Sequence, residues 1–272
     1  MTDSVASDPA IQLDRVTHDY RQGTRALRVL DGISLTIRRG EFVAIVGPSG
    51  CGKTTVLDLL SGLIPLQTGA VRVAGRPPHA GRPDTARMFA RDALLPWLSA
   101  YANIEFAVAT RPRPAAHRRP LIMSLLKEVG LEGFEQAFPR QLSQGMRQRV
   151  ALARTFSLES DHVFLDEPFG ALDAFTREEL WDVLQDLWMA QKFTTILVTH
   201  DLREAVYLAD KVHVMSRRPG HIVASYNVPI ARPRRTETEF EPAFVEIVHS
   251  LREMIKTELT TNVNSTSSQA TP

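Results

Sequence analysis

The chain has 272 residues, with 32 Lys and Arg against 31 Asp and Glu and a formal net charge of +1. That near-balance excludes a binder that works chiefly by neutralising phosphates, which would carry a large basic excess or one strongly basic face. With 43% hydrophobic and 23% charged residues, the composition is that of a globular protein. The length predicts one large domain or two lobes sharing a boundary, since single cores stop growing at roughly 250 to 300 residues.

Cys51 is the single cysteine, so no intrachain disulfide and no cysteine-based zinc cluster is expected, and a reducing compartment fits. Met1 to Ala10 lacks the basic and apolar regions of a secretory signal. No stretch approaches the roughly 20 apolar residues of a membrane span, so any attachment to a membrane is expected to run through another chain.

In chain order, Ile33, Leu35 and Ile37 alternate with polar residues, Arg39-Gly40 makes a turn, and Phe42 to Val46 is a continuous apolar run. The first pattern predicts a half-exposed strand and the second a strand buried on both faces. A Gly-rich turn at Gly47 to Gly52 leads into a helix from Thr54 to Ser61, stopped by Gly62, and Val71 to Val73 reads as a short strand. Leu121 to Val129 and Gly145 to Ser157 are helical in pattern and belong to a helical insertion over residues 89–159. Strands are expected at His162 to Leu165, Thr194 to Thr199 and Lys211 to Met215. Between the first two lies a helix, Thr176 to Ala190, opened by a Thr176/Glu179 capping box, with Leu180, Val183, Leu184, Leu187 and Trp188 on its apolar face. This alternation predicts a parallel α/β sheet. Ile222 to Ile230 alternates again, and a last amphipathic helix carries Phe244, Ile247, Val248, Leu251 and Ile255. Thr261 to Pro272 is polar and of low complexity, and reads as a disordered tail.

Gly47-Pro48-Ser49-Gly50-Cys51-Gly52-Lys53-Thr54 fits the pattern G-x-x-x-x-G-K-[ST], after a buried strand and at the opening of a helix. Such a loop turns successive backbone N–H groups into one concavity, with Lys53 reaching the β- and γ-phosphates and Thr54 holding Mg²⁺. A chance match is expected on the order of once in a hundred chains of this length, before the strand and helix are required. His162 to Asp166-Glu167 is an apolar strand ending in two acids. It is expected to set Asp166 at the carboxyl end of the sheet as a second Mg²⁺ ligand, and Glu167, pointing differently, as general base. Alone, the acid pair would read as a solvated strand end.

Gln141-Leu142-Ser143-Gln144-Gly145-Met146-Arg147-Gln148-Arg149 resembles the signature loop of ABC ATPases, which usually reads Leu-Ser-Gly-Gly. The resemblance runs along most of the chain. Tyr20 stands where that family places its adenine-stacking aromatic, Ala171-Leu172-Asp173 resembles its D-loop, and His200 its switch histidine. By residue type alone, Ser143 would be an ordinary helix cap and His200 a strand-end histidine. The resemblance implies a phosphate-loop core over residues 11–88 and 160–230 with an N-terminal antiparallel β region, a helical subdomain over 89–159, a C-terminal helix over 240–260, a flexible N-terminus over 1–10 and the tail over 261–272.

It also implies ATP with Mg²⁺ held by Tyr20, Gly47 to Thr55 and Asp166, with Glu167 and His200 catalytic. Ser143, Gln144 and Gly145 would close on ATP held by a second copy of the chain. Two departures stand out. Gln144 replaces the first glycine of the signature pair, and Ala90, in Met88 to Trp97, stands where the family's Q-loop has glutamine. Either Arg91 takes part of that task or the enzyme couples differently.

Ala93-Leu94-Leu95-Pro96-Trp97, Met146 to Arg149 and Arg232-Pro233-Arg234-Arg235 resemble importer ATPases of the nitrate, sulfonate and taurine group. This implies an ATP-hydrolysing subunit that energises uptake of a small anionic solute. It would act as a homodimer under integral-membrane permease subunits at the cytoplasmic face, indirectly served by a solute-binding protein and without nucleic acid. The rivals are an exporter or lipid-transport subunit and a soluble ABC-type switch on DNA or ribosomes. The latter's long coiled-coil insertion and tandem cassettes are absent from this sequence. Arg111 to Arg119 is expected to be a solvated basic loop. Alkylation of Cys51 is expected to inhibit, with MgATP protecting.

Overall fold

The computed structural model describes residues 9–267 apart from 24 and 171, with the side chains of residue 22 and of residues 258–267 left out. It divides into two compact units, Met1–Ala80 with Ile196–Pro272, and Gly81–Thr195. The expected flexible N-terminus falls outside the described residues except for Pro9 and Ala10, and Ala10 is buried, its carbonyl accepting the Ala74 N–H at 2.7 Å.

In the first unit β1 (Ile11–Gln22) pairs antiparallel with β2 (Arg25–Ile37). The register sets Ile11 opposite Ile37 and Leu13 opposite Leu35, so that one face of the sheet is apolar and buried. The same unit holds β3 (Phe42–Val46), buried throughout, and α1 (Lys53–Leu60). β4 (Thr68–Val73) pairs antiparallel with the other edge of β1, setting Val73 opposite Ile11 and Val71 opposite Leu13. This three-stranded sheet, β2-β1-β4, is the expected antiparallel region.

The second unit contains β5 (Thr85–Met88), α2 (Ala100–Val108), α3 (Ala115–Glu128), α4 (Gln144–Phe156), β6 (His162–Asp166) and α5 (Ala174–Gln191). β5 and β6 run parallel, Thr85 opposite His162 and Met88 opposite Leu165. Because β5 and β6 pair in this way, the unit takes in both strands together with the helices of residues 89–159. The expected limits at 88 and 160 instead fall where β5 ends and just before β6 begins.

Three local expectations are corrected in this unit. α3 begins at Ala115, so the basic run is helical from there: Pro114, with φ −56°, sets up the turn that two alanines continue. α5 is capped by Asp173, whose carboxylate accepts the Thr176 N–H at 3.0 Å, and not by Thr176. Trp181 and Gln185 join the buried face of α5, whereas Val183 is only half-buried.

The chain re-enters the first unit through β7 (Thr194–Thr199), from Ile196 on, and continues into α6 (Leu202–Leu208), β8 (Lys211–Met215), β9 (Ile222–Asn227) and α7 (Pro242–Ser267). Here the strand order is β7-β3-β8-β9, with β3 parallel and β9 antiparallel to β8. Phe244, Ile247 and Leu251 fix α7 by their burial. With no glycine or proline between Pro242 and Ser267 to break it, the helix runs past residue 261, where the sequence predicts a tail, as far as Ser267.

Candidate functional site

The first unit carries the phosphate loop. After β3 the chain turns through residues 47–52 into α1, and the turn requires glycine at both ends. A Cβ at Gly47 would stand 2.8 Å from the Met215 carbonyl oxygen; Gly52, at φ 108°, would drive one to 2.6 Å from Leu30 Cδ2. α1 has no side-chain cap and no acidic residue in its first turn, so its N-terminal amides and the positive end of its dipole are left for an anion. The Lys53 ammonium donates to the carbonyls of Gly47 at 2.8 Å and Pro48 at 3.0 Å, folded over the loop it belongs to. Pro48, Ser49 and Gly50 form the outer rim of the turn, and Thr54 is exposed whereas Thr55 is buried.

Cys51 departs from expectation. It is buried, with Sγ 4.0 Å from Lys53 Nζ, and burial pushes its thiol up, only partly offset by the ammonium. A buried, protonated thiol reacts slowly, so the loop is not a ready target for alkylation.

Two further candidate residues lie in this unit. Tyr20, on β1, is 39% exposed and packs edge-on against His18, centroids 4.9 Å apart, which leaves a ring surface for a base. His200 is exposed directly after β7. The residues behind it are fixed: Asp201 caps α6 through the Arg203 and Glu204 amides, and Thr199 Oγ1 donates to Glu204 and accepts from the Asp201 N–H.

The second unit carries the acids and the signature. β6 is buried throughout and ends in Asp166, itself buried. Glu167 has φ 45°, a left-handed conformation that costs a non-glycine residue roughly 1–3 kcal/mol. The extended strand conformation therefore ends at Asp166, and Glu167 opens the loop that follows. Gln148, buried on α4, donates to the Pro168 carbonyl and ties the following loop to the signature helix.

Ser143 caps α4, its Oγ accepting the Met146 N–H at 3.2 Å. Ser143, Gln144 and Gly145 line a cavity of about 570 Å³ together with Arg149, Leu172 and Asp173. Gly145 has no positive φ, and a Cβ there would meet Thr176 Cγ2 at 3.3 Å and Leu172 Cδ2 at 3.6 Å, contacts that a small shift absorbs. Packing within the chain does not demand this glycine. Gln144 is exposed at the rim, and Ala171 lies outside the described residues.

The arginines after the signature each tie down a different segment. Arg147 pairs with Asp92 at 3.0 Å, Arg149 donates to the Val129 carbonyl and to Glu179, and Arg154 donates to the carbonyls of Asp92 and Ala93. Ala90 and Arg91 are both exposed. Sequence reasoning missed Arg87, which reaches Asp166 Oδ2 at 3.2 Å. The available signal was a lone cation inside a short strand otherwise fit for burial.

The profile of the ABC transporter family matches residues 30–170. The bicarbonate transport ATP-binding protein CmpD of Synechococcus elongatus is 38% identical over 241 residues, 88% of this chain and 87% of its own. The taurine import ATP-binding protein TauB of Chromobacterium violaceum is 41% identical over 223 residues, 82% of this chain and 85% of its own. Among solved structures, a dimeric post-hydrolysis state of an ATP-binding cassette bound to ADP and Pi superposes with a TM-score of 0.73 at 28% identity, covering 81% of this chain and all of that one.

Proposed function

The chain belongs to the ABC transporter family as one of its ATP-binding proteins, and from that premise we propose that it is the ATP-hydrolysing subunit of an importer for a small anionic solute such as nitrate, a sulfonate or taurine. The phosphate loop carries this reading: two glycines that tolerate no Cβ, an uncapped helix end, and an ammonium resting on neutral carbonyls that a phosphate would replace with a charged partner.

Residues 47–55 bind the phosphates, Tyr20 stacks on adenine and His200 senses the γ-phosphate. Glu167 takes the proton of the attacking water, a role supported by its place directly after the buried strand that ends in Asp166. Among the described residues no group of His, Cys, Asp and Glu side chains is arranged to hold a metal alone. Asp166, a buried carboxylate, and Thr54, a hydroxyl, are each hard oxygen donors of the kind that suit a cation bringing its own water and phosphate ligands, which fits Mg²⁺. When bound, Mg²⁺ supplies neutralisation of charge on the β- and γ-phosphates.

Ser143, Gln144 and Gly145 complete the site of a second copy, a role supported by a Gly145 that has no positive φ and whose nearest side-chain neighbour to an added methyl group is Thr176 Cγ2 at 3.3 Å. Among the described residues no helix is long and apolar enough to cross a membrane. On this reading integral-membrane permease subunits carry the solute, served from outside by a solute-binding protein, and the ATPase sits peripherally at the cytoplasmic face. Docking is supported by an apolar groove of about 370 Å³ in the second unit, lined by Phe89, Leu95 and Phe106, the last 59% exposed. Trp97, 69% exposed, extends the apolar surface of the same segment.

The test is twofold. Glu167→Gln lowers ATP turnover by a factor of a hundred or more, and the tagged chain co-purifies from solubilised membranes with an integral membrane protein. Normal turnover in the variant contradicts the site, and recovery on ribosomes or DNA contradicts the importer.

A further inference from the structure

Arg87 has no task in the function above. It stands in β5 between buried Ala86 and Met88, and the parallel register sets it opposite Phe164, two residues before Asp166. Its Nη2 donates to Asp166 Oδ2 at 3.2 Å, with 7% and 4% of the two side chains exposed. Its guanidinium carbon also lies 4.9 Å from the centre of the Phe89 ring, which holds the cation from another side.

A fixed cation this close to a buried carboxylate does two things. It supplies the counter-charge without which the carboxylate would be costly to bury, and it opposes any second cation at the same oxygens, because like charges repel strongly where water is excluded. Packing does not require this arrangement: a buried ion pair is often replaced by apolar residues without loss of stability, and β5 is otherwise apolar where it is buried. Ala90 offers no polar side chain and Arg91 is exposed, so Arg87 is the residue of this segment that touches the acid.

We propose that Arg87 is a positioning residue that acts as the internal counter-ion of Asp166 and competes with Mg²⁺ for it, so that Arg87 sets how much Mg²⁺ this chain needs. The inference rests on the reading of Asp166 as a Mg²⁺ ligand.

The test is the affinity of the purified full chain for ADP in excess Mg²⁺ and in EDTA. The ratio of the dissociation constant in EDTA to that in Mg²⁺ measures how strongly metal and nucleotide bind together. Arg87→Leu and the polar Arg87→Gln, which guards against a folding defect in the first, both raise this ratio by about fivefold or more. Arg87→Lys, which keeps the charge, stays within about twofold of the parent. Asp166→Asn brings the ratio close to one. A ratio that is unchanged or lowered in both neutral variants, with Asp166→Asn still lowering it, overturns the counter-ion role and leaves the site reading intact. A ratio unaffected by Asp166→Asn overturns the assignment of Asp166 itself.

Discussion

Lys53 and Cys51 lie two positions apart and respond to opposite demands. The ammonium rests on the Gly47 and Pro48 carbonyls, and a phosphate would replace these neutral acceptors with a charged one, hydrogen bonds to charged groups being worth about 1.5–3 kcal/mol. Lys53→Ala is therefore expected to weaken ATP binding by about tenfold to a hundredfold, measured by calorimetry, while the melting temperature changes little. The Cys51 thiol is buried and shifted upward. At pH 7.5 a small maleimide is expected to label it at least about tenfold more slowly in the native protein than in guanidinium, with the native rate rising as pH is raised; equal rates would contradict the burial. The chemistry of the loop was legible because adjacent residues build it. The state of its thiol was not, since that depends on how tightly the loop packs.

At the scale of elements, the signature helix shows what spacing reveals and what it hides. Ser143 as the cap of α4 follows from sequence, because an N-cap acts within three residues. α5 is capped by Asp173 and not by the expected Thr176, whose N–H the Asp173 carboxylate accepts. The Arg87–Asp166 pair could not be read, because it joins residues 79 apart through the β5–β6 register. The ties from Arg147, Arg149 and Arg154 likewise depend on which loops lie beside α4.

Gly145 allows a test at this scale. Alanine gains up to about 1 kcal/mol over glycine inside a helix, against a tight contact with Thr176. Gly145→Ala is expected to leave the unfolding midpoint unchanged or slightly raised, and to lower ATP turnover and ATP-dependent dimerisation at least about tenfold, as an obstacle to a partner should. Loss of stability with normal turnover would instead make the glycine a matter of internal packing.

For the whole molecule, the balanced charge is consistent with a phosphate site built from few cations. Acid sensitivity is expected from buried histidines. Burial lowers His213 to about 4 and also depresses His162. Both are neutral in the folded chain where the unfolded chain takes up protons below about 6.5. The stabilising contribution of His213 is therefore complete above pH 6.5 and is lost as pH falls from there toward 4, by up to about 3 kcal/mol, and His162 acts in the same direction. Urea midpoints across pH 4.5–7.5 should show this fall, and His213→Gln should flatten it.

The α/β class and the helical segment were legible from periodicity, and the antiparallel region from the family resemblance. The division into compact units was not, because β5 and β6 associate by pairing and not by sequence proximity. The most direct test of the account is the mass in solution of the Glu167→Gln chain with MgATP and with MgADP. The account predicts twice the monomer's 30.3 kDa with ATP and the monomer mass with ADP; a monomer under both conditions, with ATP bound, would contradict it.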